Sequence, residues 1–313
     1  MWKKRLAGQA WKVGLGAGVL GAVIMALKYA VRKPVPLRMS GAISPPVFVT
    51  KVLHTSLGEV VFHESGSGPL LVFVHDVACG ASSYEWSKVY ERFGGEHRVI
   101  ALDLVGFGES SRPQRVFGAA DYVQMLAEFL RATEPGAVLI ASGLSAAFCT
   151  ELAGAHPGLV SGLLLYRPTG GWGAEQQPPG WLTRQAFRWG LLGRFLYRNH
   201  LATRNAISSW LRKHAFSRPE AVTEECIEVY TNCSRQPGAE HAVMSWLAGR
   251  LKLDFEASVL RCSCPVHTLE NGRPLEALES PDRIEAGIRA ALATEDTAGG
   301  MEGLRVVTRD GLD

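Results

Sequence analysis

The sequence predicts an α/β protein with a mostly parallel, doubly wound sheet, split by a helical insert and preceded by an apolar N-terminal segment. Continuous apolar runs such as Leu70–His75 and Ala137–Ala141 read as strands covered on both faces. Between such runs lie stretches of helical periodicity, roughly ten to fifteen residues each, the spacing of strand–helix–strand units. The alternation stops at Arg167 and resumes only at Cys264, so an insert divides the sheet.

Taken in order, Val47–His54 and Glu59–His63 flank a Leu-Gly turn and predict an antiparallel start. A strand follows at Leu70–His75, a helix at Ser83–Phe93, a strand at Arg98–Asp103 and a helix at Ala120–Ala132. Ala137–Ala141 and Leu159–Tyr166 are strands around the helix Leu144–Ala155. Residues 168–250 read as a helical cap without strands. Between Trp181 and Ala215 this insert holds seven basic residues (Arg184, Arg188, Arg194, Arg198, Arg204, Arg212 and Lys213) and no carboxylate. Trp181, Phe187, Trp189, Phe195, Tyr197 and Trp210 are interleaved with them, which suits either a solvated helical face or a surface meeting a membrane or another anionic partner. The pattern closes with a strand at Cys264–Leu269, a helix at Pro281–Leu292 and a strand at Leu304–Thr308.

Ahead of this domain, residues 13–27 carry no polar side chain, and the apolar stretch reaches Val31 if Lys28 snorkels. At about 1.5 Å rise per residue, 13–31 spans roughly 28 Å, close to a bilayer core. A cleavable leader would share the basic start, but no convincing small-x-small site precedes the prolines. Residues 1–32 are therefore expected to be a single-pass membrane anchor, its compartment open with plastid and bacterial membranes as candidates, with 33–46 (Pro34, Pro36, Pro45, Pro46) a tether and 47–313 the folded domain. Expected partners are the membrane itself and a lipid or another membrane protein. A net charge of +3 gives no case for nucleic acid. The six cysteines (79, 149, 226, 233, 262, 264) form no zinc or redox spacing, and no phosphate-binding loop occurs, so neither metal nor cofactor is expected.

Four features carry chemistry. They are the strand ending His75-Asp76, the loop Asp103-Leu-Val-Gly106-Phe-Gly108-Glu-Ser110, the strand–turn–helix Ala141-Ser-Gly143-Leu-Ser145-Ala-Ala147, and the insert after the sixth strand. Together they resemble the α/β-hydrolase superfamily in its cap-containing form. Tyr84-Glu85-Trp86-Ser87 with 141–147 is similar to a branch found in plants and cyanobacteria. The resemblance implies a nucleophile at the elbow, an acid after Pro265–Leu269, a histidine after the last strand, and backbone N–H groups near His75, Asp76, Val77, Gly143 and Leu144 lining an oxyanion-like pocket.

Two registers compete at the elbow. Centring on Ser145 keeps a hydroxyl; centring on Gly143 does not. In the family a proline commonly ends the helix about fourteen residues beyond the nucleophile, and Pro157 stands fourteen after Gly143 and twelve after Ser145. The count favours Gly143, and glycine accepts the positive φ of an elbow without steric cost. The acid position falls on Gly272 or Pro274, and Leu312 stands at the histidine position. All three members of a triad are thus expected to be missing. Ser142, Ser145 and His75 are the fallback candidates for catalysis, His156 and His267 reading as structural. The expected function is a membrane-anchored pseudohydrolase serving as a binding or assembly module; the alternative is an active ester or acyl hydrolase with a non-standard nucleophile and base.

Overall fold

A computed structural model describes residues 48–171, 180–269 and 272–297, together with Gly21 and Val23, which are helical. The rest of the anchor and tether, Glu270, the strand expected at Leu304–Thr308, and Leu312 lie outside the described residues. Among the described residues no helix is long and apolar enough to cross a membrane.

Seven strands form one sheet: β1 (Val49–His54), β2 (Glu59–Ser65), β3 (Leu70–Val74), β4 (Arg98–Leu102), β5 (Ala137–Ser142), β6 (Val160–Tyr166) and β7 (Val266–Leu269). Their order is β1-β2-β4-β3-β5-β6-β7. β2 is antiparallel to both β1 and β4, and the remaining pairs are parallel. The α/β-hydrolase fold with its mostly parallel sheet and antiparallel start is therefore present.

Strand side chains alternate between two cores, as the pleat requires. Val72, Val74, Ile100 and Leu102 face α2 (Ala119–Thr133) and α3 (Gly143–Ala155), meeting Phe129 and Phe148. Leu71, Phe73, Val99 and Ala101 face Trp86, Tyr90 and Phe93 and, further on, Ile284 and Ile288 of α11 (Pro281–Thr297). Each large side chain so buried contributes about 1.5–3 kcal/mol of transfer free energy.

The expected helix Ser83–Phe93 is broken. A 3-10 turn at Ser83–Trp86 leads into the four-residue α1 (Ser87–Tyr90), and a second 3-10 turn covers Glu91–Phe93. The cause is burial without a solvent face: Ser83, Tyr84, Glu85 and Trp86 are all buried. Tertiary bonds then set the backbone. Ser83 N–H donates to Asp103 Oδ1 at 2.6 Å, and Trp86 Nε1–H donates to Val74 O at 3.2 Å.

The Asp103–Ser110 loop shows why its residue types are needed. Asp103 Oδ2 accepts from Glu109 N–H at 2.6 Å, and Ser110 Oγ–H donates to Asp103 O at 2.5 Å. Gly108 has φ 49°, and a Cβ there would stand 2.0 Å from Asp103 Cγ, so only glycine lets the loop wrap its own carboxylate.

Between β6 and β7 the chain forms α4 (Trp181–Arg188), α5 (Gly190–Leu196), α6 (Arg204–Trp210), α7 (Glu224–Ser234) and α8 (Glu240–Leu247), with π-helical turns at Tyr197–Leu201 and Leu211–Ala215. α9 (Phe255–Val259) then returns to pack on α3, and α10 (Glu276–Glu279) precedes α11.

Candidate active site

β3 lies between β4 and β5, so chain direction across the sheet reverses at β3. The crevice beyond the carboxyl ends of β3 and β5 is the switch point where open α/β sheets place their ligands. Here the loop 75–77 leaving β3 meets the first turn of α3.

β5 ends extended at Ser142 (φ −115°, ψ 153°), and α3 begins at Gly143 with φ 55°. The turn apex is therefore Gly143. Neither flanking serine faces an open site. Ser142 Oγ–H donates to Glu85 Oε1 at 2.5 Å, and Ser145 Oγ–H donates to the His75 carbonyl at 2.6 Å, both bonds buried.

His75 is fully buried and fully occupied. Its Nε2 accepts from Leu104 N–H at 3.1 Å and its Nδ1–H donates to Asp76 O at 2.7 Å. Burial lowers its pKa, so it is a neutral ring bracing the ends of β3 and β4. It does not line the cavity.

The space above Gly143 is filled by Asp76. A Cβ built on Gly143 would lie 2.0 Å from Asp76 Cγ and 2.1 Å from each carboxylate oxygen. Asp76 Oδ1 accepts from Val77 N–H at 2.6 Å and from Leu144 N–H at 2.8 Å. One amide follows the apex and the other follows β3, the pair that would polarise a substrate carbonyl in a hydrolase of this kind. One internal carboxylate thus fills the space above the turn apex and accepts from both amides.

A second acid supports it. Glu85 is buried, and its Oε2 accepts from Asp76 N–H at 2.9 Å. Burial, then the nearby Asp76 charge, push the Glu85 carboxyl up to about 8. Burial likewise raises Asp76, to about 6, against the lowering effect of its two amide bonds and of Arg167. Two buried carboxyls this close resist ionising together, and the larger rise is at Glu85. Arg167, at φ 49°, is the one non-glycine residue with positive φ among the described residues. Such backbone costs about 1–3 kcal/mol and tends to persist at functional sites.

Asp76, Glu85, Gly143 and Arg167 form the floor of a cavity whose walls include Trp210, Tyr230 and Trp246. Its free space is ≈ 30 Å³, about enough for a water or two. Val77, Leu144 and Pro274 also line it. At the other expected acid position a Cβ on Gly272 would meet Tyr166 Oη at 2.5 Å. Nearby Glu276 is buried and pairs with Arg283 at 3.5 Å, outside the cavity lining. Leu312 lies outside the described residues. Elsewhere, His63, Asp103 and Glu109 each bring one donor atom to within 4.8 Å of the others, but both Asp103 oxygens already accept loop amides.

Glu85 and Arg167 were not foreseen as site residues. The available signal for Glu85 was a carboxylate set between Tyr84 and Trp86; Arg167 carried none beyond marking the end of β6.

Residues 71–299 match the model of the alpha/beta hydrolase family. The chain is 29% identical over 106 residues to a haloalkane dehalogenase of Agrobacterium fabrum, covering 34% of each chain. It is 28% identical over 125 residues to a 2-(acetamidomethylene)succinate hydrolase of Mesorhizobium japonicum, covering 39% of this chain and 44% of that one. The matched region thus spans between a third and under half of the length of these curated relatives. Among solved structures, an epoxide-hydrolase candidate from Pseudomonas aeruginosa superposes with TM-score 0.67 at 18% identity, covering 81% of this chain and 98% of the other. A variant of haloalkane dehalogenase DatA from Agrobacterium tumefaciens gives 0.64 at 19% identity, covering 81% and 99%. With its switch-point elbow, its capped sheet and a family match across most of its length, the chain belongs to the alpha/beta hydrolase family.

Proposed function

We propose that this chain is a membrane-tethered family member that has given up serine-type hydrolysis and uses its fold as a binding or assembly module. The observation that carries this reading is the Asp76 carboxylate, which fills the apex above Gly143 and occupies the Val77 and Leu144 amides. With Ser142 and Ser145 bonded elsewhere and His75 bonded on both ring nitrogens, none of these groups offers the cavity an activated hydroxyl among the described residues. The apolar stretch 13–31 and the proline tether support anchoring, with a lipid or a membrane protein as partner. The test is fluorophosphonate labelling of the purified full-length protein beside Ser142→Ala and Ser145→Ala. All three are expected to stay unlabelled; wild-type labelling that one variant abolishes would overturn the reading.

A second reading is favoured by one detail: Asp76 Oδ2 receives no hydrogen bond among the described residues. A carboxylate with one oxygen held by two amides and the other unbonded is presented as a nucleophile, and chains similar to this one are named haloalkane dehalogenase and epoxide hydrolase. Oδ2 would then attack an epoxide carbon, the C–O bond would break, and Glu85 would give its proton to the departing oxygen. Intact-mass measurement after incubation with a small terminal epoxide separates the readings. An adduct in wild type that is absent from Asp76→Asn supports the second, and no adduct in either supports the first.

A further inference from the structure

The cap carries an apolar face that nothing in the described chain covers. Phe187 points inward from α4 onto Met244 and Ala248. On the opposite side of the helix, Trp181 and Leu182 are 71% and 74% exposed, and Trp189, just beyond its end, is 69% exposed. Trp181 and Leu182 stand in the first turn of α4, Gln185 and Arg188 continue the same side of the helix, and Trp189 lies in the extended link to α5. Leu191 extends this ridge into α5.

Beside the ridge runs a groove of ≈ 320 Å³ whose lining includes Arg115, Arg188, Arg194, Arg250 and His241 and no carboxylate. Arg115 is paired with Asp121 at 2.8 Å, and Arg194 reaches Glu240 at 3.8 Å. Neither Arg188 nor Arg250 has an ion pair among the described residues. Exposed tryptophan and leucine next to a basic groove are the side chains that settle at a headgroup boundary, where rings sit at the interface and cations meet phosphate.

We propose that the α4–α5 ridge and its arginine groove dock the cap onto an anionic phospholipid surface, with Trp181, Leu182, Trp189 and Leu191 entering the interface and Arg188 and Arg250 meeting lipid phosphate. A bilayer is chosen over a protein partner because the positive charge is spread along a groove beside an apolar ridge, and because the same chain carries the apolar stretch 13–31. The inference does not need an inactive elbow; its choice of a bilayer rests in part on the same apolar stretch as the proposed anchor.

The test uses the full-length protein with vesicles of phosphatidylcholine, or of phosphatidylcholine mixed with phosphatidylglycerol, both with brominated acyl chains. Flotation with phosphatidylcholine vesicles in high salt reports the anchor alone. Tryptophan quenching in low salt, taken as the difference between wild type and Trp181→Phe/Trp189→Phe so that Trp2 and Trp11 beside the apolar N-terminal stretch cancel, reports the cap. Quenching is expected to be stronger with phosphatidylglycerol and to fall in Trp181→Phe/Trp189→Phe. Arg188→Gln/Arg250→Gln is expected to shift the docked population about 30-fold, from two cations at a headgroup surface. Inorganic phosphate should not compete. Equal quenching in both vesicle types, unchanged by either double variant, overturns the proposal whatever the flotation shows. So does a concentration-dependent dimer that Trp181→Phe/Trp189→Phe abolishes, which would make the ridge a contact between copies.

Discussion

Introducing a serine at Gly143 forces a collision whose cost can be worked out atom by atom. The new Cβ would stand 2.0–2.1 Å from the carboxylate of Asp76, where ordinary contact begins at 3.4 Å. The carboxylate must leave, and two bonds of 2.6 and 2.8 Å from buried amides go with it. Bonds to a charged group are worth about 1.5–3 kcal/mol each, partly recovered if water follows. Holding an L-residue at φ 55° adds about 1–2 kcal/mol. Gly143→Ser should therefore destabilise by about 3–6 kcal/mol. Asp76→Gly alone empties the apex, leaves two amides to a water, and should cost about 1–3 kcal/mol. In the double variant the serine finds room and its hydroxyl lies near the vacated amides. The pair should then be less destabilised than the sum of the single changes, by about 2–4 kcal/mol. Urea unfolding of the four proteins in one mild detergent measures this cycle. Additivity within about 0.5 kcal/mol would refute the claim that Asp76 occupies the nucleophile's place.

Further outcomes follow from the same site. Because Glu85 is raised from its ordinary 4.5 to about 8, the folded protein holds a proton that the unfolded chain has released across that window. Stability should therefore fall as pH rises from about 4.5 to about 8. Glu85→Gln should flatten that slope, and equal slopes in urea midpoints against pH would contradict the assignment. Ser145→Ala removes the bond to the buried His75 carbonyl and should cost about 1–3 kcal/mol by the same unfolding assay. The Gly143→Ser/Asp76→Gly protein should remain at background in fluorophosphonate labelling, since His75 does not line the cavity and no other histidine lines it among the described residues. Gly108→Ala should lower the unfolding midpoint by at least about 2 kcal/mol equivalent, since its Cβ would stand 2.0 Å from Asp103 Cγ.

Much of this architecture is legible in the residues because local physics specifies it. The runs at 70–75 and 137–141 are apolar at consecutive positions, which only strands covered on both faces require, and β3 and β5 form there. The segment 83–93 departs from the expected helix because its apolar spacing is helical while its first turn, 83–86, is wholly buried, so contacts to Asp103 and Val74 set its turns. For Asp76 the sequence gives only an acid after a strand-end histidine. It cannot say that this carboxylate reaches across to a turn 67 positions later and fits the space above a glycine.

Hydrophobic period and the placement of glycine and proline are local properties of the chain, and they are enough to read a mostly parallel sheet and a helical insert. The motifs at 75–76, 103–110 and 141–147 carry the resemblance to the hydrolase family. Only the packed fold shows that the Asp76 carboxylate fills the space above Gly143, that it accepts from the Val77 and Leu144 amides, and that Glu85 and Arg167 line the same cavity. Those facts depend on β3 and β5 lying side by side at the switch point, which brings distant loops within hydrogen-bonding distance, and no property of either segment alone carries that information.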